Sequence, residues 1–160
     1  MADLGYRIRI IALLTFAWVC PLGAMAAEQT AIDALLSESG KHLYSAPEKA
    51  LAPLKRLREM QSAFTPAQSE KYHLILANSL GFRGRHAERV ALVQPIIGEV
   101  KTPVRHASFL YELIDGYTSL GQYEQALQAM NESIALLPLM EKTGDKITVL
   151  QAAIAATIGF

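Results

Sequence analysis

The sequence predicts an all-α fold assembled from short helical hairpins. Three observations carry that reading. Apolar residues recur at helical spacing, as Leu110, Leu113, Ile114 and Tyr117 do at i, i+3, i+4 and i+7, which is one face of a helix. No run of alternating apolar and polar residues of strand type stands out, and the β-branched residues are scattered. Two glycines, Gly84 and Gly121, stand 37 residues apart and occupy the same place between helical stretches.

The start of the chain is different from the rest. Met1 to Arg9 carries Arg7 and Arg9, Ile10 to Cys20 is an uncharged apolar run, and Pro21-Leu22-Gly23 precedes Ala24-Met25-Ala26. A basic start, a short apolar run and a small-x-small site form the layout of a secretory signal peptide. The small residues matter because the peptidase reads an extended backbone through shallow pockets. Residues 1–26 are therefore assigned as an export signal, 27–160 as the helical domain, and the location as periplasmic or extracytoplasmic. Pro21 and Gly23 are expected to break the helix. An uncleaved membrane anchor is the competing reading, since Ile10 to Ala27 is 18 residues without a charge, the lower bound for a span. Cleavage removes Cys20 and Trp18, the only Cys and Trp, and with them any thiol nucleophile or thiolate ligand.

Turn signals divide the remainder. Ser45-Ala46-Pro47, Thr65-Pro66 and Thr102-Pro103 each open a helix with proline in its first turn, where the missing N–H costs nothing. Gly84 and Gly121 permit the left-handed residue that ends a helix. Pro138 closes one helix, and Thr143-Gly144-Asp145 precedes the next. The helices expected are Thr30–Tyr44, Pro47–Gln61, Pro66–Phe82, Arg85–Glu99, Pro103–Leu120, Tyr123–Leu137 and Asp145–Gly159. These make about three antiparallel pairs and one unpaired last helix.

Composition narrows the function. Fifteen basic and fifteen acidic residues among 160 give zero net charge, which argues against a nucleic-acid footprint. The histidines, His42, His73, His86 and His106, include no pair three or four apart on one helix, so no metal site is expected. Gly81-Phe82-Arg83-Gly84-Arg85 joins two helices and lacks the Lys-Ser/Thr of a phosphate loop, so it reads as a hairpin turn. Arg83, Arg85 and Arg89 read as a solvated basic turn, as do Lys55, Arg56 and Arg58 on the second helix. No Gly-x-Ser-x-Gly is present, and no Ser/His/Asp order stands out. The chain is expected to be no enzyme, with no catalytic residue and no cofactor.

The segment from Leu110 to Pro138, with Leu113, Tyr117, Gly121, Tyr123, Ala126 and Met130, resembles the tetratricopeptide repeat (TPR), a helix-turn-helix of about 34 residues. In that pattern Ala126 is small because the hairpin's helices approach most closely there. The preceding unit has Arg89 at the matching place. The resemblance implies a TPR-like helical-hairpin solenoid in which the first helix of each repeat lines a concave groove. The groove positions it implies are Lys71, Leu74, Asn78 and Phe82, then Ser108, Tyr111, Asp115 and Ser119. Asn78 falls where binding TPRs use an asparagine to hold a peptide backbone. The lysines of a carboxylate clamp are not at their matching places.

A closer resemblance runs through Pro47-Glu48-Lys49-Ala50-Leu51, Phe64-Thr65-Pro66-Ala67-Gln68, Leu74 to Gly84, and Gly121-Gln122-Tyr123-Glu124-Gln125-Ala126 with Leu137-Pro138. These are similar to the extracytoplasmic TPR region of membrane-bound bacterial diguanylate cyclases. That resemblance implies a sensory input module whose catalytic domain, with its Gly-Gly-Asp/Glu-Glu-Phe signature, lies outside these residues. Ala156 to Phe160 echoes the segment ending at Phe82, so a longer protein is expected. A free periplasmic adaptor or assembly protein is the alternative. The partner expected is a protein or peptide segment and not nucleic acid. A membrane enters only through an uncleaved signal or a missing C-terminal span, and self-association is open.

Overall fold

The computed structural model describes the backbone of residues 4–158 and the side chains of residues 23–147 and 149–151. All regular structure among the described residues is helical: α1 (Leu4–His42), α2 (Pro47–Glu59), α3 (Pro66–Phe82), α4 (His86–Val93), α5 (Pro103–Ser119), α6 (Tyr123–Ala135) and α7 (Thr143–Ile158). No helix among the described residues is long and apolar enough to cross a membrane.

The starts and stops follow local chemistry. Pro47, Pro66 and Pro103 stand in the first turns of their helices. Thr65 adds a capping box to α3: its Oγ1 accepts from the Gln68 N–H, and Gln68 Oε1 accepts from the Thr65 N–H at 2.9 Å, so two otherwise unpaired donors are satisfied. The same Gln68 side chain donates through Nε2 to Asp33 Oδ1 at 2.9 Å, tying this cap to α1. At the other end, Gly84 and Gly121 have φ of 68° and 71°. The backbone N–H groups of Arg85 and Gln122 then reach back to the carbonyls of Leu80 and Tyr117, both at 2.9 Å. The two turns close with one hydrogen-bond pattern, and both need a residue that tolerates a left-handed conformation.

Helix boundaries differ from expectation chiefly in two ways. The second helix of each pair is shorter than predicted. Single 3-10 turns follow it at Gln61–Ala63, Ile97–Glu99 and Leu137–Leu139, and each ends in an extended residue, Phe64, Val100 or Met140. Pro95 and Pro138 explain two of these stops, because proline lacks the N–H and its ring clashes with the carbonyl four residues back. At the start of the chain, α1 runs through Pro21-Leu22-Gly23 and past Ala26, where a break and a new start at Thr30 were expected. One interior proline removes a single helical hydrogen bond. The helix continues when the residues on both sides hold helical geometry, as they do here.

Each odd-numbered helix packs against its successor and against the next odd-numbered one, so α1, α3, α5 and α7 adjoin in series. The helices α2, α4 and α6 each touch the odd-numbered helices on either side. With connections of a few residues, neighbours in sequence run antiparallel. The core follows this series in three clusters. One gathers Ile32, Leu36, Leu54, Leu57 and Tyr72. A second gathers Val93, Phe109, Leu110, Ile114, Tyr117 and Ala126. A third joins Ala107, Met140 and Val149. Tyr72 and Phe109 are among the largest fully buried side chains, and each such burial contributes about 1.5–3 kcal/mol. Tyr117 hides its ring and keeps its hydroxyl paired, accepting from Gln94 Nε2 at 2.7 Å.

Candidate functional site

The odd-numbered helices, with the turn after α1 and Ser133 of α6, line a cavity of about 680 Å³. Its lining is built in layers. Gly40 comes from the end of α1, Leu43 and Tyr44 from the turn that follows, Lys71, Leu74, Ile75 and Asn78 from α3, Ser108, Tyr111 and Glu112 from α5, and Asp145 and Val149 from α7. The spacing explains the convergence. Lys71, Leu74, Ile75 and Asn78 sit three, four and seven residues apart, as do Val104, Ser108 and Tyr111 along α5. Each set is one face of its helix.

The expected groove residues divide into two groups. Lys71, Leu74, Asn78, Ser108 and Tyr111 line this cavity; Phe82, Asp115 and Ser119 do not. Phe82 is exposed and meets Tyr44 edge to face, with ring centroids 5.5 Å apart. Ser119 is exposed at the C-terminal end of α5. Asp115 is engaged by Arg89.

That engagement corrects one reading. Arg89, expected in a solvated basic turn, is buried at 5% exposure. Its Nε donates to the Ala77 carbonyl at 3.1 Å, Nη1 pairs with Asp115 Oδ2, and Nε lies 3.3 Å from Glu112 Oε2. The guanidinium therefore bridges α3, α4 and α5. Gly81 makes room for it: a Cβ there would fall 1.5 Å from Arg89 Nη2 and 2.1 Å from Cζ. A long cation is admitted at a tight hairpin position because the facing residue has no side chain and two carboxylates supply its charge partners. The other two arginines of that cluster, Arg83 and Arg85, are exposed, and Arg85 pairs with Glu88.

Asn78 is likewise committed. Its Nδ2 donates to the Leu74 carbonyl at 3.1 Å and to Glu112 Oε1. Glu112 is 2% exposed, and its Oε2 accepts no hydrogen bond. Burial pushes the Glu112 carboxyl up from 4.5 to about 7, opposed by the Arg89 charge and the Asn78 hydrogen bond. The loss of water around a carboxylate outweighs one partly aligned cation and one amide donor.

Sequence reasoning passed over Glu112. A signal was present: it lies between buried Phe109 and Gly116 at helical spacing and beside Leu113, a charged residue inside an apolar stripe. The histidines stay apart in role. His73 Nδ1 is 2.8 Å from the Ser69 carbonyl, which it can meet only as a donor, and His106 Nε2 is 3.0 Å from Glu132 Oε1. Among the described residues, no group of three or more His, Cys, Asp or Glu could hold a metal ion. Comparison with protein-family models, curated proteins and solved structures gives no match.

Proposed function

We propose that this chain is a TPR-like helical-hairpin solenoid that binds a peptide or protein segment along the face shared by α1, α3, α5 and α7. The observation that carries the reading is the cavity itself. Five residues chosen as groove positions on repeat register, Lys71, Leu74, Asn78, Ser108 and Tyr111, line one open space of about 680 Å³. The series of contacts between successive odd-numbered helices supports the solenoid, because each hairpin then stacks on its neighbours. Apolar walls with a few polar groups suit a bound segment. The basic, apolar and small-x-small start of the chain supports export. Resemblance to the input region of membrane-bound diguanylate cyclases supports a sensory role, with the output domain outside these residues.

Selection of displayed random peptides on the immobilised full chain tests the groove. Peptides so obtained should lose binding to Tyr111→Ala and keep binding to Lys55→Ala, an exposed change on α2, while circular dichroism stays helical. Peptides that ignore Tyr111→Ala and depend on Lys55 would overturn the assignment. N-terminal sequencing of the product from a bacterial host tests export; a cytosolic product that keeps Met1 refutes it.

A further inference from the structure

We propose that the cavity receives a peptide side chain bearing a protonated amine or guanidinium, lysine or arginine, and that the Glu112 carboxylate is its acceptor. The proposal rests on the groove reading above and names the ligand chemistry for it.

Charge balance motivates the assignment. Arg89 is one cation facing two carboxylates, and it pairs directly with Asp115. With Glu112 ionised, Arg89 is shared between two carboxylates and the set carries one net negative charge. Its Oε1 takes the Asn78 amide. Its Oε2, although 3.3 Å from Arg89 Nε, accepts no hydrogen bond, because that N–H is directed to the Ala77 carbonyl. A buried acceptor without a donor is costly, and this one belongs to a residue that lines the cavity. A cationic head arriving through the cavity supplies the missing charge and the missing donor together.

The surroundings fit such a side chain. Tyr44 and Tyr111 are exposed aromatic members of the lining, and an aromatic face attracts a cation. Leu74, Ile75 and Val149 offer apolar surface for the methylene stem. Other charges lining the space are Lys71 of α3, Arg105 of α5 and Asp145 of α7. Arg105 is drawn 3.8 Å from Glu70, and of the described cations only Arg89 is within ion-pair distance of Glu112.

Proton and ligand then compete for one carboxylate. With the Glu112 carboxyl held at about 7, the ionised fraction rises roughly tenfold between pH 6 and pH 8. Lysine and arginine stay charged across that range. Binding should tighten by the same factor, about tenfold, and release a proton near neutral pH.

Capped alanine pentapeptides with arginine, lysine, norleucine or glutamate at the centre test this against the full chain, by titration and by NMR at both pH values. The arginine and lysine peptides should bind about tenfold more tightly at pH 8 than at pH 6 and shift the Tyr111 resonances. The norleucine peptide should bind weakly and show no pH dependence. Glu112→Gln should erase the cation preference and the pH dependence. Equal binding of arginine and norleucine peptides, a preference for glutamate, or a pH dependence that survives Glu112→Gln overturns the proposal. Should that variant unfold, the difference between the arginine and norleucine pH profiles in the unaltered chain decides alone. If peptides shift Tyr111 without a cation preference, this inference falls and the groove stands. If no peptide shifts Tyr111, both fall.

Discussion

The hairpins α3/α4 and α5/α6 share one turn chemistry and differ in how they fill the same gap. In both, a left-handed glycine ends the first helix and an identical backbone hydrogen bond closes the turn. Four residues into the second helix, however, one carries Arg89 and the other Ala126, both buried. The place three residues before the turn glycine differs as well, Gly81 in α3/α4 and Thr118 in α5/α6, 37 residues on. The first hairpin, α1/α2, has buried Ala50 at the matching place. Ala126 leaves the later hairpin without a charge at this place. The Arg89–Gly81 exchange fills similar space but imports a charge, which binds the middle hairpin to Glu112 and Asp115 of the next helix. The difference teaches that two hairpins can share one turn geometry while one of them is built around a buried ion pair.

The largest effect should come from removing the cation. Arg89→Ala leaves Glu112 buried without its charge partner and should cost about 3–5 kcal/mol in denaturant unfolding at pH 8. Adding Gly81→Thr, Glu112→Ala and Asp115→Ala removes both stranded carboxylates and gives α3 the residue the later hairpin has before its turn, and should recover most of that loss. If Arg89→Ala is neutral, the ion-pair network contributes nothing and the comparison fails.

Next comes the pH response of the same unit. The folded Glu112 carboxyl sits at about 7 against 4.5 for the free group. Below the lower value both states are protonated and the full stability is present. As pH rises toward the upper value the unfolded state releases its proton first, so stability falls, and above it the loss is complete. The difference corresponds to about 3 kcal/mol. Unfolding of the unaltered chain and of Glu112→Gln, followed from pH 4 to pH 8, should show this loss in the former alone.

Ala126→Leu probes the other hairpin. Overpacking a filled site should destabilise by about 1–3 kcal/mol, read as a shift in the denaturation midpoint. A neutral result would mean that Ala126 is not where α5 and α6 meet closely. Smallest and most even should be Gly84→Ala and Gly121→Ala, each costing about 1 kcal/mol for a side chain at positive φ. Nothing lies within 4 Å of a Cβ at either site, so backbone conformation alone sets the cost. Unequal losses would show that the two turns are not equivalent after all.

Several features were legible in the residues. Pro47, Pro66 and Pro103 marked helix starts to the residue, and Gly84 and Gly121 marked the turns, because these are local backbone constraints that no distant contact needs to supply. Helical periodicity gave the all-α class for the same reason. The short 3-10 turns after α2, α4 and α6 were not anticipated. Continuing a helix or tightening its last turn depends on where the following extended residue must go, and buried Val100 and Met140 set that by packing.

The sequence by itself determined the helical class, the starts of α2, α3 and α5, where the chain reverses at Gly84 and Gly121, and which faces of α3 and α5 carry Lys71, Leu74, Asn78, Ser108 and Tyr111. Only the tertiary structure decided that Arg89 is buried, that Gly81 accommodates it, and that Glu112 and Asn78 meet at the cavity. Periodicity records which side of a helix is apolar, and it follows from one chain segment alone. Burial of a charge depends on whether groups from three helices neutralise it at hydrogen-bond distance, and that is a property of their packing.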